Sequence, residues 1–337
     1  MSVVKSQSVS WINPTFQNVE ARHRLIDVLR GVSALAVVWF HLNESYPALP
    51  DLYHRMVEWG WLGVAVFFVI SGFCIAAARQ KEGAIPFWYR RLVRIFPPYW
   101  ASLAIVTALI GLRLVTVGVN DITILPKDLT GVANTLAALT FPATTTANMN
   151  WVYWSLGYEL AFYILMGGLV VRGKPTGLIL FSVLALILPG FPFDKWGAFG
   201  LGTACYYLTK NQWKTGGMVG VLCIAQSFRF VSPAEAITGL VAALFILYPP
   251  RFVLGGGARP FMWLGTLSYS LYLTHVPIGC YFLPYYWPWG FERTLGGSLL
   301  QDLVFLPLCI GFAYGFYRLV EKPSHEIARR GLKRGPA

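Results

Sequence analysis

Charge is what this chain has little of. Only 12% of its 337 residues are charged, and 15 are acidic. A soluble domain carries about 25% charged residues, so this chain has too few to cover a surface in water. Cysteine is scarce as well. Cys74, Cys205, Cys223, Cys280 and Cys309 are scattered among apolar neighbours. There is no CxxC and no His/Cys cluster with zinc-site spacing, so no metal centre and no dithiol redox site is expected. The five thiols read as buried and inert. Residues 1–24 are polar and lack the short apolar core and small-residue cleavage site of a leader. The first apolar helix therefore reads as a retained membrane span.

What the chain does have is apolar length. Hydrophobic residues make up 56% and aromatics 16%. Mean hydropathy is +0.55. A spanning helix needs about 20 mostly apolar residues. Ten candidate segments meet or approach that length: 28–46, 60–79, 98–118, 151–171, 176–190, 196–209, 215–230, 235–250, 261–284 and 299–319. The expected fold is all-α, a polytopic membrane protein of about ten transmembrane helices. It divides into an N-terminal segment 1–24, a membrane body 25–324 and a basic tail 325–337.

Basic residues set the orientation. With the N-terminus in the cytoplasm, 21 of the 27 Lys and Arg fall on the inner side. Arg55, Lys127, Lys195, Arg229 and Arg293 fall outside, and Arg113 lies in a span. Cytoplasmic loops collect Lys and Arg, so both termini are expected inside. The same bias explains most of the net charge of +12 without nucleic acid. The longest outer segment, 120–150, is either a substrate-facing or re-entrant loop or a solvated connector.

Ionisable groups inside a membrane are costly and usually functional. Arg30, His41, Glu159 and His275 are the deep ones, with Arg113 and Asp302 nearer span edges. Arg30 and His41 lie in "RGVSALAVVWFHL". Eleven helical residues advance about 16 Å and return to nearly the same face. Glu44, three residues on, is within side-chain reach of His41. A neutral imidazole there suits a general base; a buried, interhelical hydrogen bond is the structural alternative.

In "IPFWYRRLVRIFPPYW", residues 85–100, Pro86 can start a helix and Pro97-Pro98 can interrupt it. Arg90, Arg91 and Arg94 cluster on that expected surface helix. They either clamp an anion or anchor to lipid headgroups. In "NWVYWSLGYELAFY", residues 150–163, Trp151, Tyr153 and Trp154 form an interfacial belt. Ser155 and Glu159 share a face below it. His275 in "LSYSLYLTHVPI" either joins the site or bonds across helices. Ser71 in "VISGF" has no base near it in sequence.

In order, "LRGVSALAVVWFH", "GWLGVAVFFVISGF", "RRLVRIFPPYW", "WSLGYEL", "SYSLYLTHVP" and "YRLVEKPS" span residues 25–324. This set resembles the acyltransferase-3 family of multi-pass membrane acyltransferases. The resemblance implies O-acyl transfer, most often of acetyl from cytoplasmic acetyl-CoA. The implied acceptor is a hydroxyl of an extracytoplasmic glycan or lipid-linked sugar, at the inner (plasma) membrane. The family's Arg-x10-His pair falls on Arg30 and His41. Its basic segment falls on Arg90, Arg91 and Arg94, and its Trp-Ser-Leu…Glu element on Trp154, Ser155 and Glu159.

The expected roles follow. Arg90, Arg91 and Arg94, with Arg30, hold the donor. His41 is the base, or carries the acyl group as an intermediate, and Glu44 or Glu159 orients it. Ser155, Tyr272 or His275 stabilises the oxyanion, and Trp154, Tyr272 and His275 face substrate. Some family members carry a fused extracytoplasmic esterase-like domain. None follows here, so this chain is expected to deliver its acyl group alone or hand it to another protein. Intramembrane His and Glu also suit a proton relay, so a proton-coupled transporter or flippase is the alternative.

Overall fold

The computed structural model describes residues 14–44, 51–117, 150–168, 175–287, 291 and 294–331. The segment 120–149 and the Arg113 side chain lie outside them. The described regular structure is helical throughout: α1 (Pro14–Asn43), α2 (Leu52–Glu58), α3 (Gly63–Lys81), α4 (Ala84–Val117) and α5 (Trp154–Gly168). Then come α6 (Thr176–Ile187), α7 (Trp196–Thr209), α8 (Trp213–Phe230) and α9 (Pro233–Leu247). Next is α10 (Arg259–His275), which continues as a π turn, Val276–Phe282, into α11 (Leu283–Tyr286). Last, α12 (Leu295–Phe316) passes through a second π turn, Tyr317–Glu321, into α13 (Lys322–Gly331). Every one of the ten apolar segments is helical over most of its described residues. Among the described residues, four stretches, Val19–Asn43, Leu52–Lys81, Ala84–Leu109 and Leu295–Arg330, are long and apolar enough to cross a membrane.

Two boundaries differ from the sequence reading. α1 begins at Pro14, well before 28. Its N-terminal turns are polar, but Ala21 and Leu25 bury themselves against Val253, and a helix already built needs no new nucleus to extend. The second difference is at Pro97-Pro98. The segment expected to lie on the surface and stop there is instead the first half of α4, which runs on through both prolines. Proline deletes backbone donors and normally breaks a helix. Inside a bundle, neighbours re-satisfy the local carbonyls. The carbonyls that lose a partner are those of Val93 and Arg94; one position on, Tyr269 donates its hydroxyl to the Ile95 carbonyl at 3.0 Å and ties α4 to α10.

Glycine sets the closest helix crossings. A methyl group on Gly31 of α1 would overlap the Phe261 carbonyl of α10, and one on Gly265 of α10 would overlap the Asp27 carbonyl of α1. Gly72 of α3 and Gly202 of α7 form the same kind of reciprocal contact, against Phe199 and Val69. Small residues let membrane helices approach backbone to backbone. These crossings place α1, α3 and α10 around one interior space. Behind it, Phe199 stacks between Phe68 and Phe162 at 4.4 and 4.6 Å and closes the core on the far side of α3.

Candidate functional site

A chamber lies between α1, α3, α4, α5 and α10. Its walls are partly apolar, from Phe67, Phe68, Ile70, Ile75 and Ile95. Set into them are three guanidiniums (Arg30, Arg91 and Arg94), the Glu159 carboxylate, and the hydroxyls of Ser71, Ser155, Tyr163 and Tyr272. Among the described residues Arg30 makes only loose polar contacts, with Cys74 Sγ at 3.8 Å and Asp27 at 3.9 Å. The Nε of Arg91 is buried with no hydrogen-bond partner among the described residues. Arg94 lies in the electrostatic field of Glu159 and Glu321. Such a chamber suits a large anion with a slender apolar arm, because guanidiniums pair with phosphate and the walls accept methylene groups.

Glu159 is held by two hydroxyls. Ser71 Oγ donates to it from 3.4 Å, and Tyr163 donates from one helical turn below. The fold thus gives Ser71 the carboxylate neighbour that its sequence surroundings lack, across 88 positions. Ser155, on the same face of α5, bonds the Tyr272 hydroxyl at 2.6 Å, and Tyr272 also donates to the Val152 carbonyl at 2.9 Å.

Tyr272 joins the chamber to a second cluster. Its ring lies 5.9 Å from that of His275, and His275 lies 5.3 Å from His41. His41 ends α1 and does not line the chamber. Its Nδ1 is 2.9 Å from Glu44 and 3.2 Å from the Trp151 indole N–H. The first contact needs a proton on Nδ1 and the second needs a lone pair. The ring can therefore change tautomer without moving. Its Nε2 has no hydrogen-bond partner among the described residues. The Nδ1 of His275 is tied to the Leu271 carbonyl at 2.9 Å, and its Nε2 is buried without a partner among the described residues. A carbonyl only accepts, so Nδ1 carries the proton. In the neutral ring Nε2 is then an acceptor and cannot donate to an oxyanion. The π turn that follows wraps the end of α1: Cys280 Sγ is 3.5 Å from the His41 carbonyl.

The other expected site residues divide plainly. Arg30, Arg91, Arg94, Ser155, Glu159 and Tyr272 share the chamber. Arg90 does not line it, because Glu82 captures its guanidinium at 2.6 Å. Of the two carboxylates expected beside His41, Glu44 is in contact; Glu159 faces the chamber. Trp154 is 43% exposed and packs outside, on Phe68 and Tyr158.

Sequence reasoning passed over Glu321. It is 2% exposed and accepts from Ser270 through the backbone N–H (3.1 Å) and Oγ (2.5 Å). It lies two residues past the expected end of the last span, inside "YRLVEKPS", which was the available signal.

The family model described as an acyltransferase domain matches residues 24–318. Peptidoglycan O-acetyltransferase OatA of Listeria monocytogenes is 23% identical over 328 residues, covering 75% of this chain and 49% of OatA. Nodulation protein 10 of Rhizobium leguminosarum is 26% identical over 206 residues, 52% of each chain. This chain thus spans about half the length of these curated relatives. No solved structure matches it. With a family match across nearly the whole membrane body, the chain belongs to the acyltransferase-3 family of membrane acyltransferases.

Proposed function

We propose that this protein is a membrane O-acyltransferase of the inner (plasma) membrane. It moves an acyl group, acetyl by the relatives' names, from cytoplasmic acyl-CoA to a hydroxyl of an extracytoplasmic glycan or lipid-linked sugar. About ten spans and two cytoplasmic termini go with this reading. The observation that carries it is the placement of three guanidiniums in a chamber whose wall, Tyr272, touches the imidazole pair at the other end.

Arg30, Arg91 and Arg94 hold the donor's phosphates, and its thioester arm points along α1 toward His41. The acceptor arrives from outside. His41 Nε2 takes the hydroxyl proton, and Glu44 at Nδ1 steadies the imidazolium that forms. The oxygen attacks the thioester carbonyl, the C–S bond breaks, and the thiolate recovers the proton. The developing oxyanion needs a donor. His275 offers an acceptor there, so that role goes to the Ser155–Tyr272 hydroxyl pair, one of whose protons turns from the Val152 carbonyl to the oxyanion.

The test uses purified protein in nanodiscs with radiolabelled acetyl-CoA and glycan acceptors. Label should pass to an ester on the glycan, and His41→Ala should abolish transfer while keeping donor binding. Movement of the glycan across the bilayer without acylation would overturn the reading in favour of a flippase.

A further inference from the structure

One face of α3 lines the chamber along its length. Val64, Phe67, Ser71 and Cys74 recur there at three- and four-residue steps. Contacts fix the level of each. Cys74 meets Arg30 at 3.8 Å, so it marks the guanidinium end. Phe67 meets the Tyr272 ring edge to face, with centroids 6.1 Å apart, so it marks the level of the Ser155–Tyr272 hydroxyl pair. At the helical rise per residue, Cys74 to Phe67 is about 10 Å, and Val64 lies about 4.5 Å farther on. Past the hydroxyl pair, then, less than one turn of α3 still faces the chamber. Leu156, beside Ser155 on α5, lines it from across. Behind stand Val37, Val152 and Tyr153, none more than 1% exposed, in the core that Val64 and Phe67 pack against.

We propose that Val64, Phe67 and Leu156 form a stop for the donor's acyl chain, which admits acetyl and excludes longer acyl groups. The inference rests on the acyl-CoA reading above. With the thioester carbonyl at the Tyr272 hydroxyl, the acyl methyl points at Phe67 and Val64. One methyl fills the remaining space. Each further methylene has to displace a side chain from a close-packed core.

The test needs no acceptor. Binding of acetyl-, butyryl- and hexanoyl-CoA is measured by titration calorimetry on protein in nanodiscs, with protein-free nanodiscs as the blank for partition into lipid. Wild type should bind acetyl-CoA about tenfold more tightly than butyryl-CoA, the cost of overpacking by two methylenes. Phe67→Ala should invert the preference to about tenfold in favour of butyryl-CoA, because the same methylenes are then buried without a clash. Val64→Ala removes less and should shift the ratio part of the way. Ile75→Ala opens the apolar wall at the guanidinium end; it should keep the wild-type ratio, whatever it does to all three affinities together. The inference is overturned if wild type binds the three thioesters alike. It is also overturned if Phe67→Ala and Val64→Ala both leave the ratio unchanged, or if Ile75→Ala shifts it as far as they do. Should Phe67→Ala not fold, Val64→Ala decides alone. If wild type binds none of the thioesters, the acyl-CoA reading fails first and takes this one with it.

Discussion

Gly265→Ala tests whether the α1–α10 crossing builds the site. α1 carries Arg30 and His41, and α10 carries Tyr272 and His275. A methyl group on Gly265 would overlap the Asp27 carbonyl, with the rest of that peptide also inside van der Waals contact. The obstacle is helix backbone, not the end of a flexible side chain, so α10 must move away. Overpacking of this kind costs about 1–3 kcal/mol. The overlap is severe, which puts the cost near the upper figure. Alanine recovers about 1 kcal/mol in helix propensity, leaving a net loss of about 2 kcal/mol.

Gly311→Ala in α12 is the control, since nothing lies within 4 Å of an added methyl there; it should be neutral or slightly stabilising. Thermal unfolding of detergent-solubilised protein should separate the two by several degrees. Acyl transfer should fall more than stability does, because a shift of about 1 Å at a reacting pair can cost about 10²-fold. If Gly265→Ala melts with Gly311→Ala and keeps full activity, the crossing does not position these groups and the argument fails.

The other predictions concern single side chains. Arg94→Gln should raise the donor KM about tenfold, by loss of one charge-assisted contact. Arg90→Gln should stay within about twofold, because a half-exposed ion pair with Glu82 is worth little; equal effects would place both arginines on the donor. Tyr272→Phe should lower kcat about 10²-fold with donor KM unchanged, and Ser155→Ala should do less; a pure KM effect would make Tyr272 a binding residue. Tyr53→Phe should cost about 1–3 kcal/mol in unfolding experiments. It deprives Asp302 of a hydroxyl donor, leaving Trp39 at 2.7 Å and Asn43 at 3.0 Å; an unchanged transition would show that the carboxylate does not need the tyrosine.

The helices were legible because composition and apolar length constrain a membrane chain so tightly. Within one helix, spacing was enough as well. The three-residue step from His41 to Glu44 and the four-residue step from Ser155 to Glu159 both hold in space. What sequence missed depended on partners far away or on local competition. Ser71 meets Glu159 only because α3 packs on α5. Arg90 and Arg94 share a helical face by spacing, yet Glu82, just before α4, draws Arg90 off. The proline pair read as a stop because the rule is a local one, and the packing of α4 against α5, α10 and α13 is not in the window. Glu321 escaped because it falls beyond the last apolar residue, where a carboxylate is unremarkable until Ser270 is seen bonding it.

The π turn after His275 explains how the two ends of the site are held in register. A regular helix would repeat every 3.6 residues through Val276–Phe282. The π turn takes extra residues into the same length, a feature often found at functional sites. Here it lets one helix serve two purposes. Its α-helical part, tight against α1 through Gly265, presents Tyr272 to the chamber and His275 to His41. Its π part then bends around the end of α1: Gly279 comes so close to Leu42 that a methyl group would lie 2.6 Å from Leu42 Cδ2, and Cys280 reaches the His41 carbonyl. The end of α1 is therefore braced by the same element that carries its imidazole partner. In the proposed reaction, a hydroxyl arriving from one side and a thioester from the other have to meet within a fraction of an ångström. Fixing His41 and Tyr272 to a common helix is how a bundle of otherwise sliding helices can hold that distance.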